Sequence, residues 1–280
     1  FHTPHKEGYA ATKGDGREIF KLRSRSFKQF IAHLIYKKYG KMVSADTITN
    51  IIQLLEGKAI FDGEEHDLNV RIARNDDVIW YDLGNGSVIH IDKSGWRITA
   101  TPPIIFKRFP HQLTQINPIS GGEINDLFKF INLQSDGDKL LFLVYTIASF
   151  IPDFPHPLLV LHGPQGAGKT TPLRLLKSLI DPSQLKTLAA PDALREFIQY
   201  ASHHFFVFLD NLSSIPDWLS DALARACTGD GFTKRELFSD DDDIIYSFQR
   251  TIGLNGITLV VQKADLLDRS ILIGLERIPK

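Results

Sequence analysis

Leu158-Leu159-Val160-Leu161-His162-Gly163-Pro164-Gln165-Gly166-Ala167-Gly168-Lys169-Thr170-Thr171-Pro172 is the stretch on which the reading of this chain turns. Its first four residues form a continuous apolar run, the pattern of a strand buried on both faces. After the glycines, Leu173, Leu175, Leu176, Leu179 and Ile180 recur at helical spacing, with Pro172 in the first turn, where a missing N–H costs little. The pattern predicts strand, glycine loop, helix. Gly163, Gly166 and Gly168 let the backbone wrap an anion without Cβ clashes, so that successive N–H groups can face a phosphate. The helix N-terminus adds a favourable dipole. Lys169 can reach the β- and γ-phosphates of a nucleoside triphosphate, and the Thr170 hydroxyl can ligate Mg²⁺. The expected phosphate-binding segment is therefore Gly163, Pro164, Gln165, Gly166, Ala167, Gly168, Lys169, Thr170 and Thr171.

Working outward, 280 residues suffice for one or two domains with a sizeable core. A hydrophobic share of 43% and a charged share of 23% fit an ordinary globular chain. The formal charge of −1 gives no global attraction to nucleic acid, so such binding has to come from local patches. Cys227 is the only cysteine, which excludes a disulfide framework and a cysteine-rich zinc site and fits a reducing, cytoplasmic setting. The longest apolar stretch, Leu140 to Phe150, is too short to span a bilayer, so no membrane role is expected. The chain opens at Phe1 and stops just after a strand-like run, which fits a piece of a longer polypeptide whose lid segment lies elsewhere.

Residues 1–110 read as a small α+β module. Helices are expected from Ser26 to Tyr39 and from Ala45 to Leu55, the latter capped by Ser44 or Asp46. Strand-like stretches follow at Val70–Leu83 and Ser87–Thr99. Residues 111–157 read as a linker and helical segment; the Pro/Gly-rich part begins near Thr101, and the helical pattern runs from Ile124 to Phe150, interrupted near Ser135-Asp136-Gly137-Asp138. Residues 158–280 alternate strand and helix: strands at 158–162, 204–209, near 244–253, 257–261 and 270–275, helices at 169–180, 191–201 and 216–227. Such alternation predicts a mostly parallel sheet with helices on both faces.

Three further residues fall where such a sheet forms its crevice. Phe205-Phe206-Val207-Phe208-Leu209-Asp210 is an apolar strand ending in a carboxylate, which could hold Mg²⁺ beside the phosphate loop or simply sit in a turn. Asn211 follows it; an asparagine can orient a water but cannot take its proton. Asn255, in Thr251-Ile252-Gly253-Leu254-Asn255-Gly256, could reach the γ-phosphate or the attacking water, though Asn-Gly is also a strong turn signal. Arg269 precedes the last strand; its planar fork suits a phosphate carried by a neighbouring subunit, and pairing with Asp265 or Asp268 is the plainer alternative.

The order of phosphate loop, strand-aspartate, strand-asparagine and late arginine resembles the AAA+ ATPases. Thr228-Gly229-Asp230-Gly231-Phe232-Thr233-Lys234-Arg235-Glu236-Leu237, between Asp210 and Asn255, narrows this further. It resembles a motif of superfamily 3 helicases and of phage, plasmid and viral primase-helicases. The resemblance covers roughly residues 124–280. It implies an α/β fold of the AAA+ P-loop type, preceded by the small α+β domain, that uses ATP and Mg²⁺. It implies a DNA-replication helicase or primase-associated ATPase working as a homo-oligomeric ring such as a hexamer, with single-stranded DNA gripped in the pore by a hairpin carrying Lys234 and Arg235. Catalytic roles then fall to Lys169, Asp210, Asn211, Asn255 and Arg269, metal ligation to Thr170 and Asp210, and a primase domain or other replication protein becomes a possible partner. The chain departs from the family at Asn211, where many relatives carry glutamate, and lacks a proline two or three residues after Asn255. Asn211 also fits a different class, an ATP-dependent switch or loader that assembles on nucleotide with little turnover. A small-molecule kinase shares the loop, but the chain offers no clear arginine-rich lid.

Between Arg17 and Lys41 lie Arg17, Lys21, Arg23, Arg25, Lys28, Lys37, Lys38 and Lys41 against the single acid Glu18, with Phe20, Phe27, Phe30, Tyr36 and Tyr39 interleaved. A phosphate-tracking helix and a solvated helix with core aromatics both fit this pattern.

Overall fold

The computed structural model of the chain describes residues 1–12, 18–235, 243–246 and 248–278. Its centre is a four-stranded, all-parallel sheet in the order β10-β13-β9-β14. These strands are β9 (Leu158–His162), β10 (Phe206–Leu212), β13 (Thr251–Gly256) and β14 (Ser270–Gly274). A parallel bridge between Leu188 and Leu209 extends the β10 edge by one residue. Side chains alternate across a strand, and here the alternation sorts β9 into two cores. Leu158 and Val160 face one cluster, with Phe197, Leu219 and Leu223 from α5 (Leu194–His203) and α6 (Asp217–Thr228). Leu159 and Leu161 face the other, with Phe142 and Tyr145 of α3 (Asp136–Ala148) and Leu173, Leu176 and Ile180 of α4 (Thr170–Ile180). Helices therefore cover both faces, as the continuous apolar strands require. Gly253 of β13 is needed for close packing: a Cβ there would meet Leu173 Cδ2 at 2.7 Å.

The preceding part is smaller and mixed. Strands β1 (Tyr9–Ala11) and β2 (Ile19–Lys21) pair antiparallel. Helices α1 (Arg25–Tyr39) and α2 (Ala45–Phe61) start at Ser24 and Ser44, whose side chains accept from Phe27 N and Thr47 N. Helix α1 ends at Gly40 with φ 66°, a left-handed cap that glycine adopts freely. A four-stranded antiparallel meander follows, β4 (Ile72–Asn75), β5 (Val78–Asp82), β6 (Val88–Asp92) and β7 (Gly95–Thr99), flanked by a parallel pair, β3 (Leu68–Asn69) and β8 (Ile105–Phe106).

Val70, Ile72, Tyr81 and Leu83 of this part share a core with Leu159, Leu173 and Leu176. Polar contacts reinforce the joint. Arg71 is 2% exposed and adopts φ 61°. Its guanidinium donates to Asp181 Oδ1 at 3.2 Å and to the carbonyls of Asp82, Leu113 and Pro182 at 3.0–3.1 Å. Asp181 in turn accepts from Lys177 Nζ at 2.7 Å and Phe205 N at 2.9 Å. Lys177 and Arg71 hold the Asp181 carboxyl well below the usual carboxylate range despite its burial. The Pro/Gly-rich stretch expected as a linker lies in this seam: Leu113 N donates to Pro182 O and Gln184 N to His111 O.

Two sequence expectations need correction. The single strand expected near 244–253 is two: β12 (Asp243–Tyr246), antiparallel to β11 (Phe232–Arg235), and the central β13. No strand forms at 257–261; the chain turns after Gly256, and Ile257 is 59% exposed. The helical region expected from Ile124 to Phe150, with its interruption near Ser135-Asp136-Gly137-Asp138, is a 3₁₀ turn (Ile124–Lys129) followed by α3, which Ser135 caps through Asp138 N. The short helix α7 (Ala264–Asp268) leads into β14.

Candidate nucleotide site at the strand ends

The phosphate loop joins the C-terminal end of β9 to α4, as the sequence predicts, in the region where parallel sheets place their ligands. Gly163, Gly166 and Gly168 adopt φ of 149°, 83° and 78°. A Cβ on Gly163 would sit 2.2 Å from Leu275 O, so only glycine fits there. Ala167 is fully buried and anchors the loop to the core. Lys169 precedes α4, and its ammonium donates to Gly163 O at 2.8 Å and Pro164 O at 2.9 Å. Pro164, Gln165 and Gly166 are exposed at the loop's outer rim, and Thr171 is exposed on the first turn of α4.

Three elements converge beside the loop. Thr170 Oγ1 donates to Asp210 Oδ1 at 3.1 Å. Asn255 Nδ2, on a residue 1% exposed, donates to the same oxygen at 2.7 Å and to Thr170 Oγ1 at 3.3 Å. Asn255 Oδ1 accepts from Asn211 N at 2.5 Å. The last contact depends on an irregularity: the register of β10 shifts between Leu209 and Leu212, and Asn211 takes φ 58°. Asparagine tolerates this left-handed conformation better than most residues. The turn reading of Asn255 is not what the structure has; it is a buried hub joining the ends of β13 and β10 to the start of α4.

The donor set suits a small hard cation. A hydroxyl and a carboxylate lie within 3.1 Å of one another, next to a glycine cradle. Mg²⁺ is ordinarily held by one or two such protein oxygens together with substrate phosphates. Thr170 and Asp210 therefore fit the ion, and the loop fits a phosphate chain.

Two residues that the motifs do not mark also meet the loop. Asn132 Nδ2 donates to Ala167 O at 3.3 Å and Glu276 O at 2.8 Å, tying the loop to the segment after β14. Ile278 N donates to Gly166 O, and the Arg277 side chain lies beside Gly166. A cation just beyond a parallel strand's C-terminal end was the available signal for Arg277; for Asn132 only the tertiary fold brings it in.

Arg269 lies elsewhere. Its carbonyl accepts from Leu158 N at the start of β9, the opposite end of the sheet from the loop. Its guanidinium pairs with Asp265 Oδ1 at 3.1 Å, the plainer of the two readings, and it is 42% exposed. Lys234 and Arg235 are on β11. Phe232 pairs with Tyr246 and stacks on Phe248 at 5.3 Å, and the register of the hairpin sets Arg235 directly across from Asp243. Asp240 to Asp242 lie outside the described residues.

Among solved structures, the chain resembles the apo C-terminal region of NrS-1, at 15% identity and a TM-score of 0.49 over 98% of this chain and 57% of that one. It also resembles the SCCmec type IV Cch active helicase (14%, TM-score 0.47, 94% and 50%) and, less closely, JCV helicase (14%, TM-score 0.35, 55% and 44%). The chain spans about half the length of these structures. No curated protein sequence matches it. Residues 124–280, more than half the chain, match the family described as actinomycete integrative conjugative element replication protein. By that match the chain, with its parallel sheet and phosphate loop, belongs to the actinomycete integrative conjugative element replication proteins.

Proposed function

We propose that this chain is the motor part of a replication ATPase of the superfamily 3 helicase type, which binds and hydrolyses ATP and acts on single-stranded DNA as a ring of identical subunits. The observation that carries the reading is the cluster of Thr170, Asp210 and Asn255, drawn from three elements onto the flank of a glycine loop. In this reading residues 158–280 form the ATPase core, 111–157 connect it, and 1–110 form an accessory module. Among the described residues no helix is long and apolar enough to cross a membrane. A cytoplasmic setting and a primase or other replication partner belong to the same proposal.

The loop N–H groups and the Lys169 ammonium bind the triphosphate; Lys169 exchanges its two loop carbonyls for phosphate oxygens. Thr170 and Asp210 would hold Mg²⁺, which would supply positive charge to offset the negative charge that develops on the phosphates. Asn255 keeps Asp210 oriented by donating to it, and Asn211 with Asn255 positions the attacking water. Arg269 cannot serve its own loop from the far end of the sheet, so its fork acts on the phosphate of an adjoining subunit after leaving Asp265. Lys234 and Arg235 are the residues that bind the DNA backbone in this reading.

The decisive measurement is phosphate release with and without single-stranded DNA, in the parent and in Lys169→Ala. The variant should keep its fold and lose nucleotide binding; unchanged nucleotide affinity overturns the proposal. Mixing Lys169→Ala with Arg269→Ala protein should restore part of the activity, because a supplied arginine is worth about a thousandfold or more in rate. Absence of rescue in assembled mixtures confines Arg269 to its pair with Asp265. Asn211, which offers no carboxylate at its position, favours one rival: a nucleotide-dependent switch that assembles without turnover. Assembly on ATP with no phosphate release selects that rival.

A further inference from the structure

Helix α1 puts its aromatic residues to two different uses. Phe27 is buried, and Phe20 and Phe30, stacked at 4.8 Å, join it in a small core with Leu22, Ile52 and Ala59. Tyr36 and Tyr39 take no part in that core and are 58% and 61% exposed. The steps from Arg25 to Lys28, Ala32, Tyr36 and Tyr39 are three or four residues, so these positions share one face of the helix. Arg25 and Lys28 are exposed on it, Lys37 and Lys38 flank it, and Lys38 Nζ lies 5.1 Å from the centre of the Tyr39 ring.

The charge on this part of the chain is one-sided. From Ile19 to Ala45 the sequence holds seven lysines and arginines and no aspartate or glutamate. Lys21 pairs with Glu7 and Arg23 with Glu56. Among the described residues Arg25, Lys28, Lys37, Lys38 and Lys41 have no carboxylate partner. A solvated helix face explains lysines, but not two tyrosines held out of the core among uncompensated cations. Cations that track a backbone, with aromatic faces set among them, are the components of a surface for unpaired nucleic acid.

We propose that the outer face of α1 is a docking surface for single-stranded nucleic acid, separate from the nucleotide site. Arg25, Lys28, Lys37 and Lys38 contact phosphates, and Tyr36 and Tyr39 stack on bases. The proposal takes from the replication reading only its choice of ligand.

The test uses the full chain without nucleotide and a fluorescently labelled single-stranded DNA oligonucleotide of mixed sequence, titrated between about 50 and 200 mM salt. Tyr36→Ala with Tyr39→Ala should weaken binding about fivefold or more for each lost stack. Tyr36→Phe with Tyr39→Phe should bind as the parent does, which separates loss of stacking from loss of fold. Lys37→Gln with Lys38→Gln should weaken binding and reduce the slope of log affinity against log salt by about 1.4, at about 0.7 per phosphate contact. Lys169→Ala should leave all these values at parent level, so failure of the ATPase reading and failure of this one are distinguishable. Parent affinity and slope in both the tyrosine and the lysine variants overturn the proposal. So does a parent chain that binds no oligonucleotide, which would assign the face to a protein partner.

Discussion

Replacing Asn255 with aspartate would test the cluster beside the loop with almost no change of shape. The new carboxylate keeps an oxygen to accept from Asn211 N, but the donor now 2.7 Å from Asp210 Oδ1 becomes a second negative charge. At an effective permittivity of 20, two charges at that separation repel by about 6 kcal/mol. Asp210 is partly open to solvent, which brings the figure to about 3 kcal/mol. The repulsion exists only while both carboxylates are ionised, so the penalty is small under acid conditions, where one of them holds a proton, and grows toward pH 8. For a chain of this size it corresponds to a fall in Tm of roughly 6 °C or more at pH 8. Thermal unfolding of parent and variant, followed by circular dichroism from pH 5 to 8, reads this directly, and added Mg²⁺ should narrow the gap at pH 8. A difference in Tm that stays the same at pH 5 and pH 8 would refute the reasoning, because it would mean that Asn255 and Asp210 are not in contact.

Asp181→Ala strips the buried Lys177 and Arg71 of their shared carboxylate and Phe205 N of its acceptor, and should cost about 3–5 kcal/mol in denaturant unfolding. Burial lowers His156 to about 4, and burial together with Lys177 lowers His204 to about 2, so both are neutral in the folded chain and charged on unfolding. Stability should therefore fall as pH drops below 6.5, by roughly 2 kcal/mol per unit near pH 5. Urea midpoints measured between pH 7 and 5 check this, and His156→Asn with His204→Asn should reduce the dependence, leaving the part carried by His203, which burial also lowers to about 4.

How much could be read in advance depended on how local each signal is. The strand, glycine loop and helix at 158–180 were fully legible, because apolar run, glycines and helical period lie in one contiguous stretch. Asp210 and Asn255 were legible as strand-end polar residues, and the sheet order explains why: β13 lies between β10 and β9, which brings Asn255 against both Asp210 and Thr170. The bulge that turns Asn211 N toward Asn255 was not, since a positive φ leaves no periodic trace. Asn132 was invisible for a related reason; its contacts to Ala167 and Glu276 span 35 and 144 residues. The expected strand at 257–261 followed from apolar residues that instead close the core beneath α7: Val260 and Val261 are buried beside Leu266. The aromatics of α1 divide by exposure, which composition could not reveal.

Strand β14 has a mechanical consequence. At one end it follows Arg269; at the other it runs into Leu275 to Ile278, whose backbone touches Gly163 and Gly166. Along its length it is clamped to β9 by five consecutive parallel pairs, a stiff rod of roughly 20 Å between Arg269 and Leu275. A push on Arg269 along this axis cannot be absorbed in between, because sliding by one residue would turn Ile273 out of the core. It would arrive at the phosphate loop as displacement of Leu275 O, which Gly163 has no spare room to accommodate. The rod would couple the Arg269 end of the sheet to the glycine loop without any domain having to rotate.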